Sequence, residues 1–189
     1  VITGCQRYGD VHRFLVEVMR TMDFYDVIKA RLSVRDYADR PVGEESLQRI
    51  LEAARQAPSA CNRQPWHFFV IRDEAVRQAL CQPEKQDWAA AAPVLIVACS
   101  RPREAWVRWA DKKNHADIDL AIAIEHIVLA AAAESLGTCW ICAFDPRHVR
   151  QVLQLPEDLE PVAMTPLGYP SVAAKPQARK ALEAIVTRM

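Results

Sequence analysis

Glycine is scarce: Gly4, Gly9, Gly43, Gly137 and Gly168 are all that the 189 residues contain. No spacing among them gives GxGxxG or a P-loop, so neither glycine-cradled nucleotide site is available. A GxSxG elbow and an HExxH pair are missing too, which removes two common hydrolase signatures. The chain has no net charge, with 24 Lys+Arg against 24 Asp+Glu. Nucleic-acid binders normally carry a basic excess on one face, so that class is disfavoured. Long apolar runs are also wanting. The most apolar window, Ala121 to Leu136, is interrupted by Glu125, His126 and Glu134, and falls short of the roughly 18 residues of a membrane span. No signal-peptide pattern accompanies the six cysteines. Reduced thiols in a soluble cytoplasmic protein are therefore expected, rather than a disulfide framework.

What is present suits one well-filled α/β-type domain: 51% of the residues are hydrophobic, and no repeat or linker divides the chain. Residues 1–21 differ from the rest, beginning at Val1 with an irregular mixture of Gly, Arg and His. They are expected to be an extension outside a single domain of residues 22–189, in which Met22 opens a natural-looking start. A helix is predicted from Phe24 to Leu32, and another from Glu44 to Ala57 with Pro58 stopping it. His67 to Ile71 reads as a strand, Asp73 to Leu80 as a short helix, and Pro93 to Cys99 as a strand buried on both faces. Asp117 to Leu136 is predicted to be the longest helix, apolar nearly all round, with Gly137 as its C-terminal cap. A third strand is expected over Thr138–Phe144. Asp145-Pro146 should open a helix to about Leu153, and Pro161 to Leu167 should form a fourth strand. A basic tail follows from Lys175.

Without a glycine loop, side chains must supply the contacts to any phosphate-bearing ligand. Arg31-Leu32-Ser33-Val34-Arg35 offers two guanidinium groups with a hydroxyl between them. Residues 31, 33 and 35 share a face if the segment is extended, and 31 and 35 do so if it is helical. Guanidinium forks match phosphate oxygens, and charge assistance strengthens the bonds. Lys175, Arg179 and Lys180 form a second basic cluster that could close on the same anion. Between a helix and a strand lies Ala57-Pro58-Ser59-Ala60-Cys61-Asn62-Arg63-Gln64-Pro65-Trp66-His67-Phe68. Its prolines fix the backbone and its amides suit a planar heterocycle with donor and acceptor edges, such as an isoalloxazine.

Taken in order, Arg31-x-Ser33-x-Arg35, Pro41-Val42, Ala57-Pro58-Ser59-Ala60-x-Asn62-x-Gln64-Pro65-Trp66-x-Phe68, Ala92-Pro93-Val94, Leu136-Gly137-Thr138-Cys139-Trp140-Ile141-Cys142-Ala143-Phe144-Asp145 and Leu167-Gly168-Tyr169-Pro170 resemble the nitroreductase family of FMN enzymes. The resemblance runs from about Met22 to about Ile185. It implies an α+β, three-layer sandwich with a central mixed β-sheet flanked by helices, in an intertwined homodimer with FMN at the interface. It implies that Arg31, Leu32, Ser33 and Arg35 border the FMN phosphate and ribityl chain, with Arg179 closing on the phosphate. Pro58, Ser59, Asn62 and Gln64 would reach the flavin of the partner subunit. Cys142 and Ala143 would lie over the ring, and Gly168 would border the same pocket. Departures from the family pattern are Leu32, where Arg or His is frequent, Gln177 in the tail, Cys142 in place of Gly or Glu, and a short stretch from Pro83 to Trp88.

The activity implied is ping-pong hydride transfer, from NADH or NADPH to a nitroaromatic, quinone or similar organic acceptor, with the flavin carrying the chemistry and no side chain acting as obligatory acid or base. A non-turnover flavin-storage protein, or another family chemistry such as reductive dehalogenation, is the alternative. Cys139-x-x-Cys142 invites a redox reading, but the pair falls in an apolar strand with its side chains on opposite faces, which favours buried structural thiols. Asp111, His115, Asp117 and Asp119 are read as an acidic helix start rather than a metal site. His67 is expected to be packed rather than catalytic. Trp106 and Trp109 form either a lid or a surface helix face.

Overall fold

The structure, a computed structural model, describes residues 22–82 and 85–189. The expected extension, residues 1–21, lies outside the described residues. Helix α1 (Phe24–Ala30) is capped by Asp23, whose side chain accepts from Tyr25 N at 2.9 Å. An irregular strap leads to α2 (Glu44–Arg55), which buries Leu47, Ile50 and Ala54 and has Glu44 and Glu45 at its positive end. Strand β1 (Trp66–Ile71) follows, then α3 (Glu74–Leu80), where Asp73 caps Val76 N at 2.9 Å. The short α4 (Asp87–Ala90) precedes β2 (Val94–Ser100). The long α5 (Ala116–Ala133), the two-residue β3 (Gly137–Thr138), α6 (Pro146–Leu153) and β4 (Glu160–Gly168) complete the order. A 3-10 turn, Leu182–Ala184, interrupts the exposed tail.

The sheet runs β1-β2-β4-β3, and every ladder is antiparallel. Among the described residues parallel pairing is confined to one bridge, Ser33 to Thr138, so the sheet of the α+β fold is antiparallel where a mixed one is expected. Because side chains alternate along a strand, β2 feeds two cores. Leu95, Val97 and Cys99 pack with Leu80, Ala89, Val149 and Met164, beneath α3, α4 and α6. Val94 and Ile96 pack with Ile50, Ala54, Ile127 and Ala131 of α2 and α5. Ala98 meets Leu120, Ile124 and Val128. The result is three layers, α2 and α5, then the sheet, then α3, α4 and α6, as expected for the α+β sandwich. The continuous apolar run in β2 thus reflects burial from both sides.

Two local expectations are corrected. Gly137 does not cap α5. Ser135 takes the left-handed position there (φ 59°), and Leu136 N donates to Ala131 O at 2.8 Å to close the helix. Gly137 instead pairs with Gly168, in space too tight for a side chain: a Cβ would sit 2.6 Å from Val34. The third strand does not reach Phe144. The chain leaves the ladder after Thr138 and returns only at Ile141, bridged to Met164. The apolarity of this stretch comes from burial of Cys139 and Ile141, not from continuous pairing. Among the described residues no helix is long and apolar enough to cross a membrane.

Candidate functional site

The strap between α1 and α2 is held along β3 and the end of β4 by backbone bonds. Val34 N donates to Thr138 O at 2.8 Å, Ala38 N to Tyr169 O at 2.8 Å, and Ser171 N to Asp36 O at 3.1 Å. Val34 and Tyr37 are buried anchors, and Tyr37 Oη donates to Val34 O at 2.8 Å. With alternate residues turned inward, Ser33 and Arg35 are left exposed beside the strap and Arg31 half-buried. All three act on the Cys139 thiol, which burial pushes up while Arg35, Ser33 and Arg31 pull the other way. The strap therefore sets the two guanidinium groups and the hydroxyl about the Thr138–Cys139 corner, with Arg35 lining one concavity and Arg31 another.

Six other arginines, at 49, 55, 72, 101, 108 and 147, each meet a carboxylate. Among the described residues Arg31 and Arg35 do not. Arg35 lies over the Trp88 ring, 5.6 Å from its centroid. A pair of guanidinium groups without acidic partners, next to a hydroxyl, is a donor set for an added anion such as a phosphate monoester. The residues present thus fit the phosphate end of FMN.

Beyond Arg35 opens a concavity of about 320 Å³, lined by Arg35, Lys85, Gln86, Trp88, the 139–143 segment and Gln82. Gln86 is buried and fixes its floor, donating through Nε2 to Ala143 O at 2.7 Å while its Oε1 accepts from Gln82 N at 3.1 Å. Cys142 and Ala143 are exposed into this space. Cys142 is therefore not the buried structural thiol that the strand reading predicts. Once the ladder ends at Thr138, strict alternation no longer orients residue 142, and its Sγ accepts from Trp140 Nε1 at 3.0 Å. Cys139, by contrast, is buried.

Other nominated residues lie apart. Arg31 and Leu32 line a separate groove of about 250 Å³ with Val128, Ala132 and Leu136 of the α5 end. Gly168 is buried against Pro93, 2.6 Å from a notional Cβ, and Tyr37, and does not line the 320 Å³ concavity. Arg179 is exposed in the tail with Lys175 and Lys180, and lines neither space. Pro58, Ser59, Asn62 and Gln64 sit at the opposite end of the sheet. They precede Trp66, which pairs with Ser100, whereas the strap borders the end where Val94 pairs with Leu167. The length of β2, about 20 Å, separates the two groups.

The 58–64 loop has its own order. Ser59 Oγ accepts from Gln64 N at 2.9 Å, and Gln64 Nε2 donates to Asn62 Oδ1 at 3.3 Å. His67 is exposed, with its ring edge-on to Phe69 at 4.8 Å. Trp106 is edge-on to His115 at 4.8 Å, and Trp109 is exposed; both lie in irregular turns, not on a helix. Sequence reasoning missed Lys85, Gln86 and Trp88: the first two lie in the turn before a helix of only four residues, and that helix is too short for periodicity to show which face carries Trp88 to the site. Among the described residues there is no cluster with the makings of a metal site.

Comparison with known proteins agrees with this architecture. The profile described as the nitroreductase family matches residues 28–88 and 80–169. A "Putative NADH dehydrogenase/NAD(P)H nitroreductase" of Methanothermobacter thermautotrophicus is 35% identical over 162 residues, 79% of this chain and 78% of that protein. An "FMN reductase [NAD(P)H]" of Bacillus subtilis is 27% identical, over 81% of this chain and 68% of its own. The crystal structure of a nitroreductase family protein from Clostridium difficile superposes with a TM-score of 0.79 at 34% identity, covering 88% of this chain and 98% of that one. The chain belongs to the nitroreductase family.

Proposed function

We propose that the protein is an FMN-dependent oxidoreductase that accepts hydride from NADH or NADPH and delivers electrons to a nitroaromatic, a quinone or a similar organic acceptor. The observation that carries this reading is the pair of guanidinium groups at Arg31 and Arg35, one on each side of Ser33 and without a carboxylate among the described residues, with Arg35 at the rim of a concavity lined by Cys142 and Ala143. The relatives named for NAD(P)H nitroreduction and FMN reduction support it. Bound there, the flavin supplies the hydride-accepting chemistry. The chain's own residues bind and orient: Arg31, Ser33 and Arg35 take the phosphate end, with Leu32 alongside, and Arg179 of the tail is assigned to the same anion. Trp88 and Lys85 wall the concavity, and Gln86 holds the Ala143 carbonyl in place.

A second copy completes the site. Pro58, Ser59, Asn62 and Gln64 stand a sheet-length away from the strap of their own chain, so they serve the flavin held by a partner. Helix α5 has the surface for such pairing: it is apolar nearly all round, and Ile118, Ile122 and Leu129 are left partly exposed. Gly168 supports the strap by admitting Tyr37 and Pro93 at close range. The domain extends over residues 22–189, with residues 1–21 outside it.

The test is the visible spectrum of the purified protein, followed by anaerobic addition of NADH or NADPH. Flavin absorbance that bleaches on addition, and returns when a nitroaromatic or quinone is added, is the expected result. A flavin that binds but never bleaches indicates a storage protein. A colourless chain that takes up no FMN overturns the reading.

A further inference from the structure

Three of the four residues from Cys61 to Gln64 are left-handed without being glycine: Cys61 (φ 52°), Asn62 (φ 51°) and Gln64 (φ 51°). Such a run is disfavoured by the side chains and persists only where the surroundings impose it. The loop's bonds among Ser59, Asn62 and Gln64 are internal and cannot fix it to the body of the protein. Two bonds from its turn reach outside. Arg63 donates to Glu104 O at 3.3 Å from an exposed side chain, and Ala60 N donates to Asp119 Oδ1 at 3.0 Å.

Asp119 is only 2% exposed. Its other oxygen, Oδ2, is buried without a partner among the described residues, as is Nε2 of His115 one turn earlier on the same side of the helix. A buried carboxyl with an unused oxygen is costly, so its retention calls for a reason. Helix-dipole compensation does not need it. Asp117, exposed in the same first turn and accepting from Ser100 Oγ at 3.1 Å, already provides that. The bond that Asp119 makes is to the strained loop.

We infer that Asp119 is a positioning residue for the flavin: by holding the Ala60 N–H it sets the left-handed turn that presents Asn62 and Gln64 to the ring in the partner subunit. This rests on the proposed FMN function. Asp119 touches neither cofactor nor substrate and acts through the loop. The sequence gives it the look of one more acid at a helix start.

The full chain is compared with Asp119→Asn, Asp119→Ala and Ala60→Pro. Asparagine keeps a carbonyl oxygen for the bond, whereas alanine removes it. Proline deletes the N–H from the loop side, and the extended Ser59 before it (φ −142°, ψ 159°) tolerates a following proline. Three readouts are taken: amide hydrogen exchange at residue 60 without FMN, the FMN dissociation constant, and the visible circular dichroism of bound flavin. Asp119→Asn should retain slow exchange at Ala60 and bind FMN within about threefold of the unaltered chain. Asp119→Ala should expose that amide, weaken FMN roughly tenfold and change the flavin dichroism, as expected for loss of one buried hydrogen bond. Ala60→Pro, which leaves α5 intact, should weaken FMN to a similar degree and decides the matter should the alanine variant not fold. Unaltered affinity and dichroism in Asp119→Ala or Ala60→Pro, or an asparagine variant as damaged as the alanine one, would overturn the assignment while leaving the FMN function standing. An unaltered chain that binds no FMN overturns both.

Discussion

At the scale of single residues, chemistry is set by which side chains have been left without partners. Arg31 and Arg35 are one case: among the described residues neither meets a carboxylate, and both flank the Ser33 hydroxyl on one strap, whereas Arg49, Arg55, Arg72, Arg101, Arg108 and Arg147 are engaged by acids. Replacing either with alanine should weaken FMN binding by about 1.5–3 kcal/mol, the usual worth of a hydrogen bond to a charged group. Flavin fluorescence titration measures this, and unchanged affinity in both variants would remove the phosphate assignment. The thiols divide in the same way. Burial pushes Cys99 up to about 12 and Cys81 up to about 11, and Cys139 is raised as well. These three should stay unlabelled by iodoacetamide in the folded protein, while the exposed Cys61 and Cys142 react. FMN should shield Cys142, and peptide mass spectrometry with and without the cofactor reads the difference. The arginine strap was legible from residue type and spacing. The exposure of Cys142 was not, because it depends on where a ladder stops, which no local pattern records.

At the scale of elements, most of the fold could be read from periodicity and punctuation. Asp73 and Asp145 cap the helices that they precede, and Pro146 occupies the first helical turn as expected. The misreadings cluster where two elements meet. Gly137 looked like a helix cap because glycine usually is one, yet its smallness is used for contact between the strap and β3. Gly137→Ala should push Val34 away and loosen the strap, lowering FMN affinity along with the melting temperature. A variant that melts earlier but holds FMN as before would show that strap and site are independent. Helices α2 and α5 are cross-linked by Glu134, which accepts from Arg49 and, at 3.0 Å, from Ser46. The Arg49 bond holds the Glu134 carboxyl below its ordinary 4.5. The folded value being the lower one, this contribution is complete above about pH 4.5 and disappears as pH falls through the folded value. Urea midpoints of the unaltered chain and Glu134→Gln should therefore differ at pH 7 and converge in acid; parallel curves would exclude the linkage.

For the molecule as a whole, the separation of the strap from the 58–64 loop is what the proposed two-chain site rests on. Equilibrium sedimentation of the FMN-loaded protein should give a dimer, and a stable flavin-containing monomer would contradict the two-chain site. Mixing a chain altered at Arg31 and Arg35 with one altered at Asn62 and Gln64 provides a sharper check. In the mixed dimer one site carries both sets of lesions and the other carries none, so half of the flavin capacity should return. The sequence nominated both halves of the proposed site by resemblance, but their distance apart in one chain is a property of sheet length and strand order, which no single segment encodes.

The central position of β2 has a further consequence, for the order in which the chain becomes safe. Its apolar residues gain one neighbour from β1, only a short loop and two small helices earlier. The other edge waits for β4, roughly seventy residues downstream by the Val94–Leu167 pairing. A ribosome-bound or partly refolded chain thus displays an uncharged run, Val94 to Cys99, with one open edge and no proline to blunt it. Folding should be slow, as pairing across long sequence separation generally is. Losses during production should arise from sticky intermediates, more than from instability of the finished protein.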